Sequence, residues 1–309
     1  MTAAATGGMT ADTALAWVHA QLPKIESIGP HWIDEIQGLA NGAAISFNEA
    51  LALQIRPGTD DLSEGCTSFA AVGSTTVNRS NLAGQNRDLG ESYLHRMFVS
   101  VLRPDNRPDI LMHSVPGELG GTGINGYGVA IFANSLWAKS GRTWMAPPVL
   151  RRAVLEATSA DTAVERIQTM NGPAIGNFLV ADTNCAFNLE ILPEGTVVTR
   201  IDDGVYAHAN NCIAEELVPH EAVRRPLPFS ESRRQGLQKA LEQHAGTIDV
   251  GICQALLSDE SGRPEPICRR VRLGDPFATV AGLIGHPDTR SLHISYGPPS
   301  DGNFTTYVL

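Results

Sequence analysis

From residue 66 to its end the chain is written in blocks. A run of short apolar, β-branched segments comes first, then two helical stretches, a second run of such segments, two more helical stretches and a last run. A doubly wound parallel sheet needs strand and helix in strict alternation, because each parallel crossover uses up a helix. Consecutive strands pair as antiparallel neighbours through short turns instead. The pattern therefore predicts an α+β fold of two mainly antiparallel sheets packed face to face, with helices on their outer faces.

The strand candidates are CTSFAAVG from residue 66, NLAGQNRDL from 81, MFVSVLR from 97, DILMHSV from 109 and GVAIFANSL from 128. NFLVAD, AFNLEIL, TVVTRI and VYAHAN form the second group, and FATVAGLIG, SLHISYG and NFTTYVL the last. Helices are expected after Pro147-Pro148, after Asp161, after Ser230 and after Thr247. Proline suits a first helical turn because its missing N–H would be unpaired there anyway. The first sixty residues read as helices, with Asp12 as one cap and Ser46 with Glu49 as a capping box. Thr59, Asp60, Asp61 and Ser63 make a polar loop where the character changes. No internal repeat or long linker interrupts residues 66–309, which are read as one domain with an N-terminal helical cap over 1–65.

Charge narrows the function. A net charge of −10 leaves no basic stripe to neutralise phosphates, which argues against nucleic-acid binding. Arg224-Arg225, Arg233-Arg234 and Arg269-Arg270 are read as solvated pairs among acids. The N-terminus carries no basic region followed by an apolar core, and no stretch reaches the apolar length of a membrane span. Five scattered cysteines without a CxxC pair fit reduced thiols and a cytoplasmic setting.

Several motifs fail on context. Gly121, Gly123 and Gly126 spell G-x-G-x-x-G, but a β-rich segment follows where a dinucleotide site needs a helix. His208 and Cys212 are four apart without a third and fourth ligand at usual spacing, so no metal site is expected. There is no G-x-S-x-G elbow and no P-loop.

Gly65-Cys66 is different. A thiol lying over the carbonyl of its own preceding residue can attack it and form a thioester by an N-to-S acyl shift. Hydrolysis would release Cys66 as a new N-terminus, its α-amine (ordinary pKa about 7.7–8.0) beside its own sulfur. That amine can act as base for the nucleophile.

The surrounding segments resemble the acyl-coenzyme A:isopenicillin N acyltransferases and their amidohydrolase relatives. The likeness runs from Cys66 to the C-terminus through EGCTSF, GQNRDL at 84–89, GINGYGVAIFANSL at 123–136, GNFLVAD at 176–182, HANN at 208–211, PICRR at 266–270, TVAGLI and YGPP, in that order. The resemblance implies an N-terminal-nucleophile (Ntn) αββα sandwich, cleavage between Gly65 and Cys66, and Cys66 as nucleophile. It further implies Asp88 as the carboxylate near the new N-terminus and Asn210 as oxyanion donor. The same resemblance implies Asn134 as a second catalytic-pocket amide. Thr67, Arg87 and Arg269 are candidate substrate contacts, although for Arg269 a surface ion pair is the simpler expectation.

Departures from the family pattern exist. Arg87 stands where relatives carry an aromatic residue, and Asn211 and Arg270 stand where they carry histidines. Arg87 points to a substrate with a carboxylate or polar acyl group. The expected activity is hydrolysis of a small-molecule amide through an acyl-enzyme, with no metal or organic cofactor, no membrane partner, chains that stay associated and a possible homo-oligomer. Acyl transfer to an amine or coenzyme A shares the same intermediate. A silent binding protein and a protein that only matures are the remaining alternatives, and one unusually fast thiol would argue against the binding protein.

Overall fold

The computed structural model describes residues 11–55, 65–139, 145–170, 174–222, 227–272, 275 and 277–309. Three helices come first: α1 (Ala11–Ile28), α2 (His31–Ala43) and α3 (Phe47–Ile55). The capping box at the entry to α3 is formed as expected. Ser46 N–H donates to Glu49 Oε2 at 2.9 Å, and Glu49 N–H to Ser46 Oγ at 3.3 Å. Asp12 sits in the first described turn of α1. The expected loop at Thr59, Asp60, Asp61 and Ser63 lies outside the described residues, as does the Arg224-Arg225 pair.

The strands and remaining helices then run β1 (Gly65–Val72), β2 (Leu82–Gly90), β3 (Phe98–Leu102), β4 (Ile110–Ser114), β5 (Thr122–Asn125), β6 (Ala130–Asn134), α4 (Pro147–Leu155), α5 (Ala160–Thr169), β7 (Gly176–Ala181), β8 (Ala186–Leu192), β9 (Gly195–Ile201), β10 (Gly204–His208), α6 (Leu227–Gln243), α7 (Val250–Leu257), β11 (Phe277–His286), β12 (Ser291–Ser295) and β13 (Phe304–Val308). One sheet has the order β10-β1-β2-β11-β12-β13, the other β3-β4-β5-β6-β7-β8-β9. The pairings within both are antiparallel.

Side-chain alternation builds the layers. Ala70 and Val72 of β1 enter the core between the sheets with Leu111, Phe132, Leu179 and Leu283. Phe69 and Ala71 point the other way, onto Leu237 and Leu241 of α6 and Leu257 of α7. On the second sheet, Ile110, Ile131, Phe178 and Leu189 face outward onto α1–α5, joining Ile25, Trp32, Ile36, Leu51 and Val149. Period-two patterning with both faces apolar is what a strand buried on two sides requires. The result is an αββα sandwich, in agreement with the sequence. Among the described residues, no helix is long and apolar enough to cross a membrane.

Three expected caps shift. The helix expected after Asp161 is capped by Ser159, which forms a capping box with Thr162. The helix expected after Thr247 is capped by Asp249, whose carboxylate accepts from Ile252 N–H at 2.8 Å. Ser230 lies inside α6 and binds the loop after β10 through Asn210 and Asn211. Pro147 and Pro148 do open α4. The glycine motif forms β5 and its flanking turns, not a helix start. A Cβ at Gly121 or Gly123 would strike the carbonyl of His113 or Leu111 on β4, so these glycines serve close strand packing.

Candidate active site

Cys66 and Arg87 are opposite each other in the β1–β2 register, and Gly65 is opposite Asp88. Opposed residues share a face. Cys66 has the parity of Ala70 and Val72, so it looks into the space between the sheets at one end of the sandwich. Thr67 and Asp88 look the other way, toward α6 and α7.

The nitrogen of Cys66 is held by a side chain where the sheet ends. β10 pairs with β1 as far as Ser68 opposite His208, and the chain then leaves the ladder. Asn210 supplies the acceptor that the missing strand would have given: Cys66 N–H donates to its Oδ1 at 2.8 Å. The same oxygen accepts from Arg233 Nη2 at 2.9 Å, and Asn210 Nδ2 donates to the Ser135 carbonyl at 3.1 Å. Asn210 thus turns its oxygen toward the Cys66 nitrogen, while its NH₂ reaches the Ser135 carbonyl.

The loop carrying Asn210 is pinned from three sides. Asn210 N–H donates to Ser230 Oγ at 2.8 Å, and that hydroxyl donates to Asn211 Oδ1 at 2.7 Å. Glu190, buried on β8, accepts from Ile213 and Ala214 N–H, each at 2.9 Å, and from His208 Nε2 at 2.6 Å. Burial opposes charge on Glu190, but the His208 hydrogen bond and ring outweigh it and hold the carboxyl below its ordinary range. Glu221 accepts from Cys212 N–H at 3.0 Å. Burial pushes Glu221 up to about 7, with the nearby Glu190 charge adding to the shift.

Behind β1 lies a buried charge cluster. Arg233 is fully buried and donates four hydrogen bonds: to the Cys66 carbonyl at 2.6 Å, Thr67 Oγ1 at 2.7 Å, Asn210 Oδ1 at 2.9 Å and Glu265 Oε2 at 3.0 Å. Arg269 pairs with Glu265 at 3.0 Å, Asp275 at 2.9 Å and Asp88 at 3.5 Å. Asp88 also accepts from Thr279 Oγ1 at 2.7 Å and lies 3.8 Å from Arg233. Burial pushes the Asp88 carboxyl above its ordinary range, against the pull of Arg269 and Arg233. Gly65 is what lets this cluster sit directly under the chain. A Cβ there would come within 2.5 Å of Arg269 Nη1 and 2.9 Å of Asp88 Oδ2.

The reading of Arg233-Arg234 and Arg269-Arg270 as solvated pairs is therefore corrected for Arg233, at 0% exposure, and Arg269, at 3%. Arg270 does keep to the surface, bound to Glu260 and Asp301. Fully buried Thr67 meets Arg233 on the helix side of β1.

On the inter-sheet side, Arg87 Nη1 lies 3.4 Å from His113 Nδ1. Burial and the adjacent Arg87 charge pull His113 down to about 3, so its ring is neutral near pH 7. Arg87 thus reaches the Cys66 face of the sandwich as a charge. Asn134 lies deeper. Its Nδ2 donates to Ser68 Oγ at 2.7 Å and Asn177 Oδ1 at 2.8 Å, contacts that occupy both of its N–H groups.

Of the expected site residues, Gly65, Cys66, Arg87, Asp88, Asn210, Thr67 and Arg269 converge on the start of β1, and Asn134 adjoins them through Ser68. Sequence reading missed Arg233, Ser230, Glu190, Glu265 and His113. Two signals were present. Ser230, Arg233, Leu237 and Leu241 follow helical spacing, so Arg233 occupies an apolar stripe. Glu190 interrupts an apolar strand. Among the described residues, no group of three or more His, Cys, Asp or Glu side chains gathers as a metal site.

Residues 75–301 match the family model described as acyl-coenzyme A:6-aminopenicillanic acid acyl-transferase. A curated relative, the 40 kDa form of acyl-coenzyme A:6-aminopenicillanic-acid-acyltransferase from Emericella nidulans, is 30% identical over 288 residues, which is 91% of this chain and 78% of the relative. Among solved structures, a variant of conjugated bile acid hydrolase from Clostridium perfringens superposes with TM-score 0.58 at 11% identity, over 79% of this chain and 92% of that one. The Caenorhabditis elegans N-acylethanolamine-hydrolyzing acid amidase ortholog gives TM-score 0.55 at 15% identity, over 79% of this chain and 100% of that one. These two likenesses establish the Ntn-hydrolase fold. The match over most of its length shows that the chain belongs to the acyl-coenzyme A:6-aminopenicillanic acid acyl-transferase family.

Proposed function

We propose that the protein is a self-processing cysteine amidohydrolase that cleaves the C–N bond of a small linear amide through an acyl-enzyme on Cys66. One observation carries this reading: the Cys66 nitrogen is gripped by Asn210, above a buried cluster of Asp88, Glu265, Arg233 and Arg269. A main-chain nitrogen in an ordinary strand needs no such apparatus. An amine that must stay aimed at its own thiol does.

In maturation the Cys66 sulfur attacks the Gly65 carbonyl carbon, the C–N bond breaks, and the nitrogen takes a proton to become an amine. Water then cleaves the thioester, leaving a carboxylate on Gly65 and a free thiol on Cys66. In turnover the amine accepts the thiol proton as sulfur attacks the substrate carbonyl. It passes that proton to the leaving amine, and water hydrolyses the acyl-enzyme. Asn210 holds the amine through its oxygen. One hydrogen of its NH₂ goes to the Ser135 carbonyl, and the other is the expected oxyanion donor, a role worth about 10²–10³-fold in rate for one such donor. Asp88, with Arg233 and Arg269, fixes the electrostatic floor. Arg87, across the strand from Cys66, favours an acyl group bearing a carboxylate or other polar function.

Residues 1–65 stay bound after cleavage in this reading. Support comes from the seam they form with the rest. Arg152 pairs with Glu35 through two contacts of 3.0 and 2.7 Å, and Trp32, Ile36 and Leu51 lie in the largest apolar cluster. Five free, buried cysteines fit a reducing compartment.

Acyl transfer is the second reading, favoured by the description of the matched family and the name of the Emericella relative. Both readings share one test. The protein is mixed with a panel of N-acyl amides, the acyl-enzyme is trapped and located by mass, and its partitioning with added amine or thiol is measured. Acyl mass on Cys66 that is lost to water supports hydrolysis; diversion to the acceptor supports transfer. Turnover without acylation of Cys66 overturns both.

A further inference from the structure

A cleft of about 690 Å³ opens far from Cys66, between the N-terminal helices and the body of the fold. α1 and α2 supply Lys24, His31 and Trp32; the segment before β4 supplies Arg107; α5 and the residue after α4 supply Arg166 and Glu156. Arg107 and Pro108 precede β4 at the end opposite His113, the neighbour of Arg87. At about 3.4 Å per residue, the cleft is roughly 20 Å from the nucleophile's end along that strand.

Its charge runs against that of the molecule. The protein carries −10 overall, yet three fixed cations, Lys24, Arg107 and Arg166, line one concavity. Among the described residues lining it the one carboxylate is Glu156, and it is already engaged. It accepts from Arg152 Nε at 2.8 Å, Trp32 Nε1 at 3.0 Å and His31 Nε2 at 3.0 Å, and lies 3.8 Å from Arg107. Arg166 is half-buried and donates to the Ala153 carbonyl at 2.8 Å, with no carboxylate beside it among the described residues. Low-dielectric walls focus such a field, and planar guanidinium forks match phosphate and carboxylate oxygens. Ile28, Met145 and Met170 give the floor an apolar side. The volume falls in the usual range for small-molecule sites.

We propose that this cleft binds a small amphipathic anion, with a phosphate or carboxylate head on Arg107 and Arg166 and a short apolar body on the floor. Because its walls come from both sides of residue 65, the bound anion braces the N-terminal helices against the rest. The proposal is independent of the chemistry at Cys66.

Isothermal titration of the full-length Cys66→Ala chain with hexyl phosphate, hexanoate and neutral hexanol tests it. One-to-one binding of at least one anion is expected, at least tenfold tighter than hexanol, together with a rise in Tm. The stronger anion identifies the head. Arg107→Gln with Arg166→Gln should weaken the anion at least tenfold, while Arg87→Ala leaves it unchanged; circular dichroism checks that each variant is folded. Absence of saturable anion binding overturns the proposal. So does binding that survives the double substitution, or binding that Arg87→Ala abolishes.

Discussion

Replacing Arg233 by methionine keeps the apolar stem within α6 but removes the buried guanidinium. Four hydrogen bonds go at once, including those to the Cys66 carbonyl and to Asn210. Asp88 and Glu265 then keep the Arg269 guanidinium, and Asp88 the Thr279 hydroxyl, but lose the Arg233 charge in a site where Asp88 is fully buried. Removing one partner of a buried ion pair costs about 3–5 kcal/mol. The lost hydrogen bonds involve the same groups and do not add independently. A loss of about 4 kcal/mol is therefore expected, against a total stability of about 5–15 kcal/mol. With an unfolding entropy of about 2.1 cal/mol/K per residue, the 309-residue chain shifts about 1.5 °C per kcal/mol, or about 6 °C in Tm. Urea unfolding and thermal melts read it, with Arg270→Met as control, since an exposed pair contributes about 0–1 kcal/mol. Arg233→Lys, which keeps the charge but not the fork, should fall between. A drop in Tm under about 1.5 °C for Arg233→Met, no larger than the control's, would refute the reasoning that this cluster is a mutually dependent unit.

Glu221 gives a pH signature. Its folded pKa, about 7, exceeds the ordinary value of 4.5, so between these values the folded state binds more proton than the unfolded state. Its contribution is fully present below about pH 4.5 and is lost as pH rises through about 7. Glu221→Gln imitates the protonated form, so variant minus wild-type stability should grow from pH 5 to pH 8 in urea unfolding; a flat difference contradicts the assignment. Arg152→Met breaks the paired contact to Glu35 across the N-terminal seam and the i,i+4 bond to Glu156 beside it, an expected loss of about 3–5 kcal/mol. Size-exclusion chromatography of the processed variant should show the N-terminal segment released more readily than in wild type, and equal retention would place the seam's strength in its apolar contacts.

Much of the fold was legible because most of its strands are buried on both faces and read as apolar runs between turn residues. β5 was hidden, since Thr122–Asn125 is four residues set among glycines and looks like a turn. Caps were misplaced by two residues where two cap-competent residues stand close together: Ser159 and Asp161, Thr247 and Asp249. Local sequence does not say which will find the free amides. The site was legible as far as its chain order was distinctive, through Gly65-Cys66, Asp88 and Asn210. Its supports were not. Arg233 lies 167 residues from the Cys66 carbonyl it binds, and Glu190 is 23 and 24 residues from the loop amides it fixes. An arginine on a helix reads as solvated until the neighbouring sheet is known to carry the matching carboxylates.

Intact-mass analysis of the purified, active protein tests the chemistry at its root. Self-cleavage gives two polypeptides divided between Gly65 and Cys66, with Cys66→Ala remaining whole. Full activity in a protein whose 65–66 peptide bond is intact would contradict it, because the amine assigned as base would still be an amide.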